Sequence, residues 1–306
     1  MPGLNTLYLA PPPTQRVTRQ SWRNGSALAG ERTLAEEVPV AFSYGGTTHA
    51  VLMATPNDLE EFALGFSFTE GIISRPAEIV ELAVVCTDDG IVLRMWLNGD
   101  QSDAFAARRR RFVGPAGCGM CGLESLAEAN RAIPMVRRDL SVSREEIEEA
   151  VAALPHRQTL NMQTRSVHAA ALWHPGQGLV LREDVGRHNA LDKLAGTLLR
   201  GGLSAATGII LLSSRISIEL VQKAAMMGAA VVVGISAPTA LAVRTAEAVG
   251  IILAGIARDD GFEVFTHAER ITNLRAMAKE CPATAPRRSR HSLQNATSSS
   301  RRASAI

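Results

Sequence analysis

Apolar and polar positions change their spacing along the chain, and this change divides it into two parts. Between residues 31 and 100, short alternating runs predict strands, and the glycine pair at residues 45–46 marks a hairpin turn between two of them. An apolar stripe at helical spacing, which includes Leu59, Phe62 and Phe66, follows the helix-opening signal at residues 56–58. The predicted elements are strands at 38–44, 49–54, 78–86 and 91–97 and a helix ending near 71. Together they predict a small α+β domain.

From residue 178 onward, apolar runs alternate with amphipathic helical stripes. The predicted strands are 178–182, 208–212, 229–235, 251–256 and 262–265, and the predicted helices are 187–199, 216–227 and 238–249. Strands without a polar face, alternating with helices of this length, are typical of a mainly parallel sheet that helices cover on both sides. The predicted fold class is therefore α/β, with the small α+β domain followed by a three-layer α/β domain. Ligands of such sheets bind at the carboxyl ends of the strands.

The remaining segments set the predicted domain limits. Residues 1–30 are rich in Pro, Gly, Ser and Asn and predict an irregular arm with one short strand near 17–22. Helices are predicted at 123–132 and at 143–154, the second with Ser143 and Glu146 as a capping box. We expect an irregular N-terminal arm (1–30), a small α+β domain (31–100), a mobile loop (101–122), an α/β domain (123–281) and a disordered basic tail (282–306).

The charge balance gives no argument for a nucleic-acid partner. The formal net charge is +2, but five arginines and no acidic residue lie beyond Cys281, so the rest of the chain is near −3. The first residues lack the basic and apolar segments of a secretory signal, and charged residues interrupt the longest apolar region, 203–256. We expect a cytoplasmic protein without membrane spans, in which the four cysteines are reduced.

The strongest local feature is a cysteine pair inside a glycine-rich run, residues 117–122. Glycines flank Cys118 and Cys121, which leaves the sulfur atoms uncovered and allows the backbone to take positive φ. Four arginines at 108–111 and a predicted helix that begins near Leu123 favour the thiolate form. Such a thiolate is nucleophilic at neutral pH and can carry a persulfide. The arginine run could equally dock an acidic partner or simply be solvated.

Other uses of a cysteine pair stay open at this point. The spacing fits half of a zinc site, but no second pair of Cys or His ligands follows, and Cys86 and Cys281 are isolated. A thioredoxin-like redox pair would follow a strand, whereas this pair follows a polar loop. Zinc deaminases place H-x-E before P-C-x-x-C, but here His168 follows the cysteines and lacks the acid. Deaminase chemistry is therefore not expected.

A second group of polar residues falls where predicted strands run into predicted helices. These candidate anion-binding residues are Arg187, His188, Asn189, Ser214 and Arg215. A helix N-terminus suits an anion such as phosphate. Helix capping explains each turn taken alone, and Glu183 and Asp184 could be structural caps. A third turn at residues 236–238 would line the same sheet edge, and three converging turns indicate a large phosphate-bearing ligand.

Several segments together resemble the formate dehydrogenase accessory sulfurtransferase family, the FdhD proteins. The segments are TPNDLEEFALGFSFTEGII, the CxxC run, VHAAAL, REDVGRHNALDK, SSRISIE, SAPTALAV and FTHAERI, in the order of the family. The resemblance extends from about residue 37 to residue 270. It implies a homodimer and a cytidine-deaminase-like second domain without deaminase chemistry.

The resemblance also implies a function. FdhD proteins accept a persulfide from a cysteine desulfurase and deliver the sulfur to molybdenum bis(molybdopterin guanine dinucleotide), bis-MGD, for formate dehydrogenase. By this resemblance Cys118 carries the persulfide and Cys121 assists, and no resident metal is expected. The cofactor-binding stretch aligns with Ile256, Ala257, Arg258, Asp259, Asp260 and Gly261. Arg258 is retained, whereas Ile256 replaces an aromatic residue and the two aspartates are more acidic than the family pattern.

Two other functions remain as alternatives. A zinc-stabilised chaperone would bind the cofactor without covalent chemistry, and stoichiometric zinc whose removal unfolds the protein would favour it. A CxxC thiol oxidoreductase would reduce insulin disulfides at the rate of a genuine reductase. Neither alternative needs a persulfide on Cys118.

Overall fold

The computed structural model describes residues 9–99, 101–102, 133–136 and 139–274, which all belong to one compact unit. The cysteine pair, the arginine run at 108–111, the helix predicted at 123–132 and the basic tail lie outside the described residues. The expected division into separate domains stays a prediction.

A long β-hairpin occupies residues 14–35, in place of the irregular arm with one short strand that the sequence predicts. Strand β1 (Thr14–Arg23) pairs antiparallel with β2 (Ser26–Ala35), and the turn residues Asn24 and Gly25 both have positive φ. This is the turn geometry that an Asn-Gly pair favours. Neither strand buries one of its faces, so the apolar alternation that identifies a strand in a sequence is missing.

A four-stranded sheet and one helix form the small α+β region, as the sequence predicts. The elements are β3 (Val38–Tyr44), β4 (Thr47–Ala54), α1 (Leu59–Thr69), β5 (Ile79–Thr87) and β6 (Gly90–Leu97), with strand order β4-β3-β6-β5. Strands β3 and β6 are parallel, and the other neighbours are antiparallel. The Phe42 ring meets the rings of Phe62 and Phe66 at centroid distances of 4.9 and 4.1 Å. The apolar stripe of α1 is thus the face that packs on the sheet.

A six-stranded mixed sheet forms the centre of the second half, beside a short parallel pair of β7 (Val142–Ser143) and β14 (Ile271–Thr272). Its strands are β8 (His168–His174), β9 (Gly178–Asp184), β10 (Ile209–Leu212), β11 (Val231–Gly234), β12 (Ile252–Arg258) and β13 (Gly261–Val264), in the order β13-β12-β11-β10-β8-β9. The central strands β10, β11 and β12 are parallel, as expected, and the flanking pairs are antiparallel. The antiparallel pairing of β8 was not anticipated, because its alanine-rich segment has low β-propensity.

Helices cover both faces of this sheet. They are α2 (Arg144–Ala153), α3 (Thr159–Thr164), α4 (Arg187–Gly201), α5 (Ile218–Met226) and α6 (Ala240–Val249). Buried side chains of α4, α5 and α6 pack with Ile210 and Val232 on one face, and those of α2 pack with Leu211 and Val233 on the other. The predicted three-layer α/β fold is therefore confirmed.

The helix ends follow the capping signals closely. At the start of α2, the Ser143 hydroxyl accepts from the Glu146 N–H at 3.1 Å, and the Glu146 carboxylate accepts from the Ser143 N–H at 2.7 Å, which is the predicted capping box. Gly250 ends α6 with a φ of 86°, and Thr239 is the N-cap of this helix, where its hydroxyl accepts from the Ala242 N–H at 3.2 Å. None of the described helices is long and apolar enough to cross a membrane.

The two sheets are joined where α1 packs against α4. A Cβ added to Gly65 would lie 1.7 Å from the Asp192 carbonyl oxygen, and one added to Gly196 would lie 1.9 Å from the Glu61 carbonyl oxygen. Only glycine allows two backbones to approach this closely. Helix α1 therefore sets the position of α4, whose first turn carries candidate site residues.

Candidate functional site

Four strands end at one edge of the large sheet. Strands β10, β11 and β12 are parallel neighbours, so their carboxyl ends lie together. Strand β9 ends there as well, because Arg182 pairs with Ala170 of β8, and Ala170 pairs in turn with Leu212 at the end of β10. The turns that follow β9, β10 and β11 therefore line the same edge, as the sequence predicts.

A buried carboxylate holds the turn after β9. Asp184 is fully buried, and its oxygens accept hydrogen bonds from the N–H groups of Thr55 and Gly186 at 3.0 and 2.7 Å. The Asn189 amide donates a hydrogen bond to Asp184 at 2.9 Å, and the Lys193 ammonium forms an ion pair with it at 2.7 Å. Asp184 therefore anchors the turn and is not an exposed acid.

Asn189 belongs to this internal network. Its Nδ2 donates to the Met53 carbonyl at 2.8 Å and to Asp184 at 2.9 Å, which uses both amide hydrogens. Only 5% of the residue is exposed. A Cβ added to Gly186 would lie 2.6 Å from the same nitrogen, so the turn needs glycine there. The structure thus places this predicted binding residue inside the fold.

Arg187 and His188, in contrast, keep polar atoms unpaired. Arg187 Nε and His188 Nε2 are buried and have no hydrogen-bond partner among the described residues. Glu219 Oε2 lies 4.0 Å from His188 Nε2, which is too far for a hydrogen bond. Burial, followed by the charges of Lys223 and Arg187, lowers the pKa of His188 to about 4, so the imidazole is neutral at pH 7. This corner of the edge combines a cation with a neutral imidazole and suits an anionic ligand.

His168 lies beside this corner, at the start of β8. It pairs with Asp184 across the β8–β9 ladder, and it is half-buried. Burial lowers the pKa of His168, and the positive charge of Arg187 adds to that effect. His168 is therefore a second neutral imidazole near the end of β9.

The turn after β10 is partly used to hold the sheet together. Ser213 exchanges hydrogen bonds with the Ala169 backbone, at 2.8 Å through its hydroxyl and 3.0 Å through its N–H. Ser214 is 5% exposed, and its hydroxyl donates to the Arg215 carbonyl at 3.1 Å. Arg215 itself is exposed. Of the two residues in this turn that the sequence predicts to bind a ligand, Arg215 is accessible and Ser214 is not.

Ile256 has an unusual backbone conformation. Its φ is 53° and its residue is 40% exposed, within an irregular part of the β12–β13 pairing between Gly255 and Arg258. A left-handed conformation is rare for a β-branched residue, and such backbone strain is concentrated at functional sites. The predicted cofactor-binding stretch therefore begins at a strained, accessible position.

The rest of that stretch forms the end of β12 and the turn into β13. Arg258 donates through Nη1 to the carbonyls of Ile235 and Ala257, which ties the hairpin to the turn after β11. Ala257 is buried, whereas Asp259 and Asp260 are exposed. The two acidic side chains thus face solvent at the tip of the hairpin.

The structure separates the predicted binding residues into two groups. Strands β9 and β12 are four inter-strand steps apart in the sheet, which corresponds to about 19 Å at ~4.8 Å per step. Arg187 and His188 lie at one end of the edge, and residues 256–261 lie at the other. A single ligand that contacts both groups must be long.

The predicted catalytic residues, Cys118 and Cys121, lie outside the described residues, so their roles stay predictions. In the described part of the chain, Cys86 is a partly buried free thiol on β5. Within those same residues, no group of three or more His, Cys, Asp or Glu side chains could hold a metal ion.

Lys193 of α4, a buried lysine that contacts the segment after β4, was not predicted from the sequence. Lys193 is fully buried, and its ammonium contacts the Thr55 carbonyl at 2.8 Å and the Asn57 amide oxygen at 3.1 Å in addition to Asp184. Burial lowers the pKa of Lys193, and the Asp184 charge opposes that effect. This ammonium links the segment after β4 to the first turns of α4.

A second missed lysine, Lys223, links three helices. Its ammonium lies 2.9 Å from Asp192 of α4 and 2.6 Å from Glu70, at the end of α1. Burial opposes the charged form, but the two carboxylates outweigh it and raise the pKa of Lys223. The signal in the sequence was the adjacent pair Asp192-Lys193 inside an otherwise apolar helical stripe, because buried charges of opposite sign need partners.

The chain is similar to known proteins over most of its length. The sequence profile of the FdhD/NarQ family matches residues 35–272. The chain belongs to the FdhD/NarQ family. The matched range includes the sheet edge described above and also the cysteine pair.

Similar FdhD proteins cover most of the chain. The sulfur carrier protein FdhD of Agrobacterium fabrum is 51% identical over 84% of this chain and 96% of its own length. The protein of the same name from Cupriavidus necator is 43% identical over 88% of this chain and 94% of its own length. A crystal structure from Desulfotalea psychrophila, described as that of a candidate formate dehydrogenase accessory protein, is 26% identical with a TM-score of 0.66, over 85% of this chain and 100% of that one.

Proposed function

We propose that the protein is a sulfurtransferase that acts as a sulfur carrier for formate dehydrogenase. It accepts persulfide sulfur on Cys118 from a cysteine desulfurase and transfers it to bis-MGD before that cofactor is inserted into formate dehydrogenase. The observation that carries the proposal is the 51% identity to a sulfur carrier protein FdhD over 96% of that relative. The proposal includes a cytoplasmic location and a homodimer.

The loading step needs no external oxidant. The Cys118 thiolate attacks the outer sulfur of the desulfurase persulfide. A new S–S bond forms on Cys118 while the original S–S bond breaks, and the desulfurase thiolate leaves. Cys121, three residues further on, assists in holding or releasing the sulfur.

The cofactor is the substrate of the second step, and its pyrophosphate groups are anions. The unpaired polar atoms of Arg187 and His188 fit such groups, because each can form a hydrogen bond that the described protein does not supply. Arg215 is exposed at the neighbouring turn, and Ile256 is exposed at the far end of the edge. An extended dinucleotide suits two groups of residues separated in this way.

Intact-mass measurement tests the loading step. After incubation with a cysteine desulfurase and L-cysteine, the wild-type protein is expected to gain one sulfur atom that a thiol reductant removes. Cys118→Ala is expected to lose this adduct, whereas Cys86→Ala, on a strand outside the CxxC run, is expected to keep it. An unchanged adduct on Cys118→Ala, or none on the wild type, would contradict the proposal.

A further inference from the structure

Strand β9 is the last strand of the large sheet and pairs with β8 on one side. Ala169 of β8 directs both its N–H and its C=O to Ser213, away from β9. In an antiparallel ladder, hydrogen-bonded and non-bonded residue pairs alternate. The β8–β9 bonds therefore belong to residues 178, 180, 182 and 184 of β9. The N–H and C=O groups of the intervening residues, Leu179, Leu181 and Glu183, point away from the sheet.

This outward edge is unpaired in the described part of the chain. No described backbone group pairs with the outward N–H and C=O groups, and the Leu181 carbonyl accepts a hydrogen bond from the Arg182 side chain at 2.8 Å. An open strand edge is a template for another extended chain. Three outward residues at two-residue spacing present the hydrogen-bonding pattern that such a chain needs.

A cleft of about 620 Å³ is lined by residues 179–183 of this strand. The other lining residues come from the segment before and within α3 (Arg157, Thr159, Leu160, Gln163) and from earlier parts of the chain (Pro13, Thr14, Asn57, Asp58). A single extended chain can enter the cleft.

The charges in the cleft favour an acidic occupant. The Glu183 carboxylate is engaged at the start of α3, where it accepts from the N–H groups of Leu160 and Asn161, both at 2.8 Å. Arg182 Nε lies 3.3 Å from Asp58 Oδ1 but is buried without a hydrogen bond to any described residue. Arg157 is exposed at the rim. The lining thus holds two arginines and two carboxylates, but Arg182 is paired with Asp58 and Glu183 is held by the N–H groups of α3. Arg157 forms no ion pair with a described residue, so an acidic side chain can meet it beside the apolar Leu179 and Leu181.

We propose that this cleft docks an extended segment of a partner protein, with alternating apolar and acidic residues, as an additional strand beside β9. Backbone hydrogen bonds to Leu179, Leu181 and Glu183 supply the affinity, and Arg157 selects acidic side chains. This activity goes beyond sulfur transfer and does not depend on it, since no cysteine takes part. Cys118→Ala is therefore expected to bind the segment as the wild type does.

Fluorescence anisotropy with a defined probe tests the proposal. The probe is a fluorescein-labelled, capped hexapeptide of alternating Val and Glu. Two control peptides replace Glu by Lys or carry N-methyl groups on alternate backbone nitrogens. Leu181→Pro removes one outward N–H and no β8–β9 hydrogen bond, which a free edge tolerates. Leu181→Val keeps that N–H and is the matched control.

We expect saturable binding of the Glu probe to the full-length protein. Binding should weaken at least tenfold for Leu181→Pro and for each control peptide, and it should stay within about twofold for Leu181→Val. Absence of saturable binding to the wild type, or equal binding by Leu181→Pro and Leu181→Val, would overturn the proposal.

Amide hydrogen exchange of the wild type, measured by NMR, keeps the test decisive if Leu181→Pro does not fold. The probe is expected to slow exchange at Leu179, Leu181 and Glu183 and to leave Val180 and Arg182 unchanged, because those two amides already bond to β8. Uniform slowing or none would overturn the proposal. Protection of the three outward amides that rises with protein concentration alone would instead assign the edge to a second copy.

Discussion

Helix α4 carries two contrasting sets of polar groups. Along its buried side, Asp192 and Lys193 are paired with Lys223 and Asp184, respectively. In its first turn, Arg187 and His188 keep buried polar atoms that no described residue satisfies. A buried polar group without a partner costs about 1–3 kcal/mol. The paired groups hold the fold, and the unpaired groups are the ones that the proposed substrate would contact.

Replacing Lys193, one of the paired groups, is expected to cause the largest loss of stability. Lys193→Met leaves the fully buried Asp184 carboxylate without its cation, which typically costs about 3–5 kcal/mol. Urea unfolding followed by circular dichroism measures the loss. Adding Asp184→Asn to Lys193→Met removes both charges and is expected to restore part of it. The exposed ion pairs of Arg200 with Glu60 and Glu61 provide the control, since Arg200→Ala should cost less than about 1 kcal/mol.

The glycine contact between α1 and α4 is expected to be nearly as sensitive. Gly65→Ala places a methyl group against the Asp192 carbonyl, so the helices must separate and the buried ion pairs must shift. We expect a loss of about 3 kcal/mol in unfolding free energy. Gly201→Ala, at the open end of α4 where a Cβ meets side-chain atoms of Leu203 at 3.5 Å, should be neutral or slightly stabilising. Similar unfolding midpoints for the two variants would show that the backbones do not touch.

The unpaired His188 predicts a pH dependence of stability. Its pKa is lowered from 6.5 to about 4 in the folded protein, so between these values the unfolded chain binds a proton that the folded protein does not. Stability therefore falls as the pH drops from 6.5 toward 4. His188→Gln should remove about 1–2 kcal/mol of this loss, after allowance for the partial exposure of the side chain. Urea unfolding at pH 7 and pH 4.5 measures it, and parallel pH dependences for both proteins would contradict the assignment.

Arg187 tests whether the unpaired groups face the substrate. With GDP as a probe for the nucleotide half of the cofactor, Arg187→Ala should weaken binding about tenfold, because one charge-assisted hydrogen bond is lost. Isothermal titration calorimetry measures the affinity. Arg200→Ala, a change of the same kind at the far end of the same helix, should leave it unchanged. Equal affinities for the two variants would remove the first turn of α4 from the proposed site.

The fold was largely predictable because its elements carry strong local signals. The parallel strands β10 to β12 and the capping box at Ser143 follow from apolar runs and end residues. The hairpin at residues 14–35 and strand β8 did not, because one buries neither face and the other is rich in alanine. Local pattern therefore fails where pairing partners, rather than propensity, determine the strand.

The candidate site was only partly predictable for a related reason. Arg187 and Asn189 are two positions apart in one motif, yet one keeps an unpaired nitrogen and the other is buried against Met53. The motif shows that polar groups collect at this turn. Which of them faces outward depends on strand β4, whose Met53 lies 136 residues earlier in the chain. That information lies in the three-dimensional contact and not in the spacing of the residues.

The hydrogen bonds that Lys193 donates to Thr55 and Asn57 span 138 and 136 residues. During synthesis on the ribosome, the N-terminal region must therefore wait until α4 has emerged before its last buried contacts can form. A nascent chain that ends near residue 150 leaves the Gly65 side of α1 uncovered, at a stage when exposed apolar surface attracts chaperones or other chains. Such long sequence separation slows folding, so the protein reaches its native state only after most of it has left the ribosome.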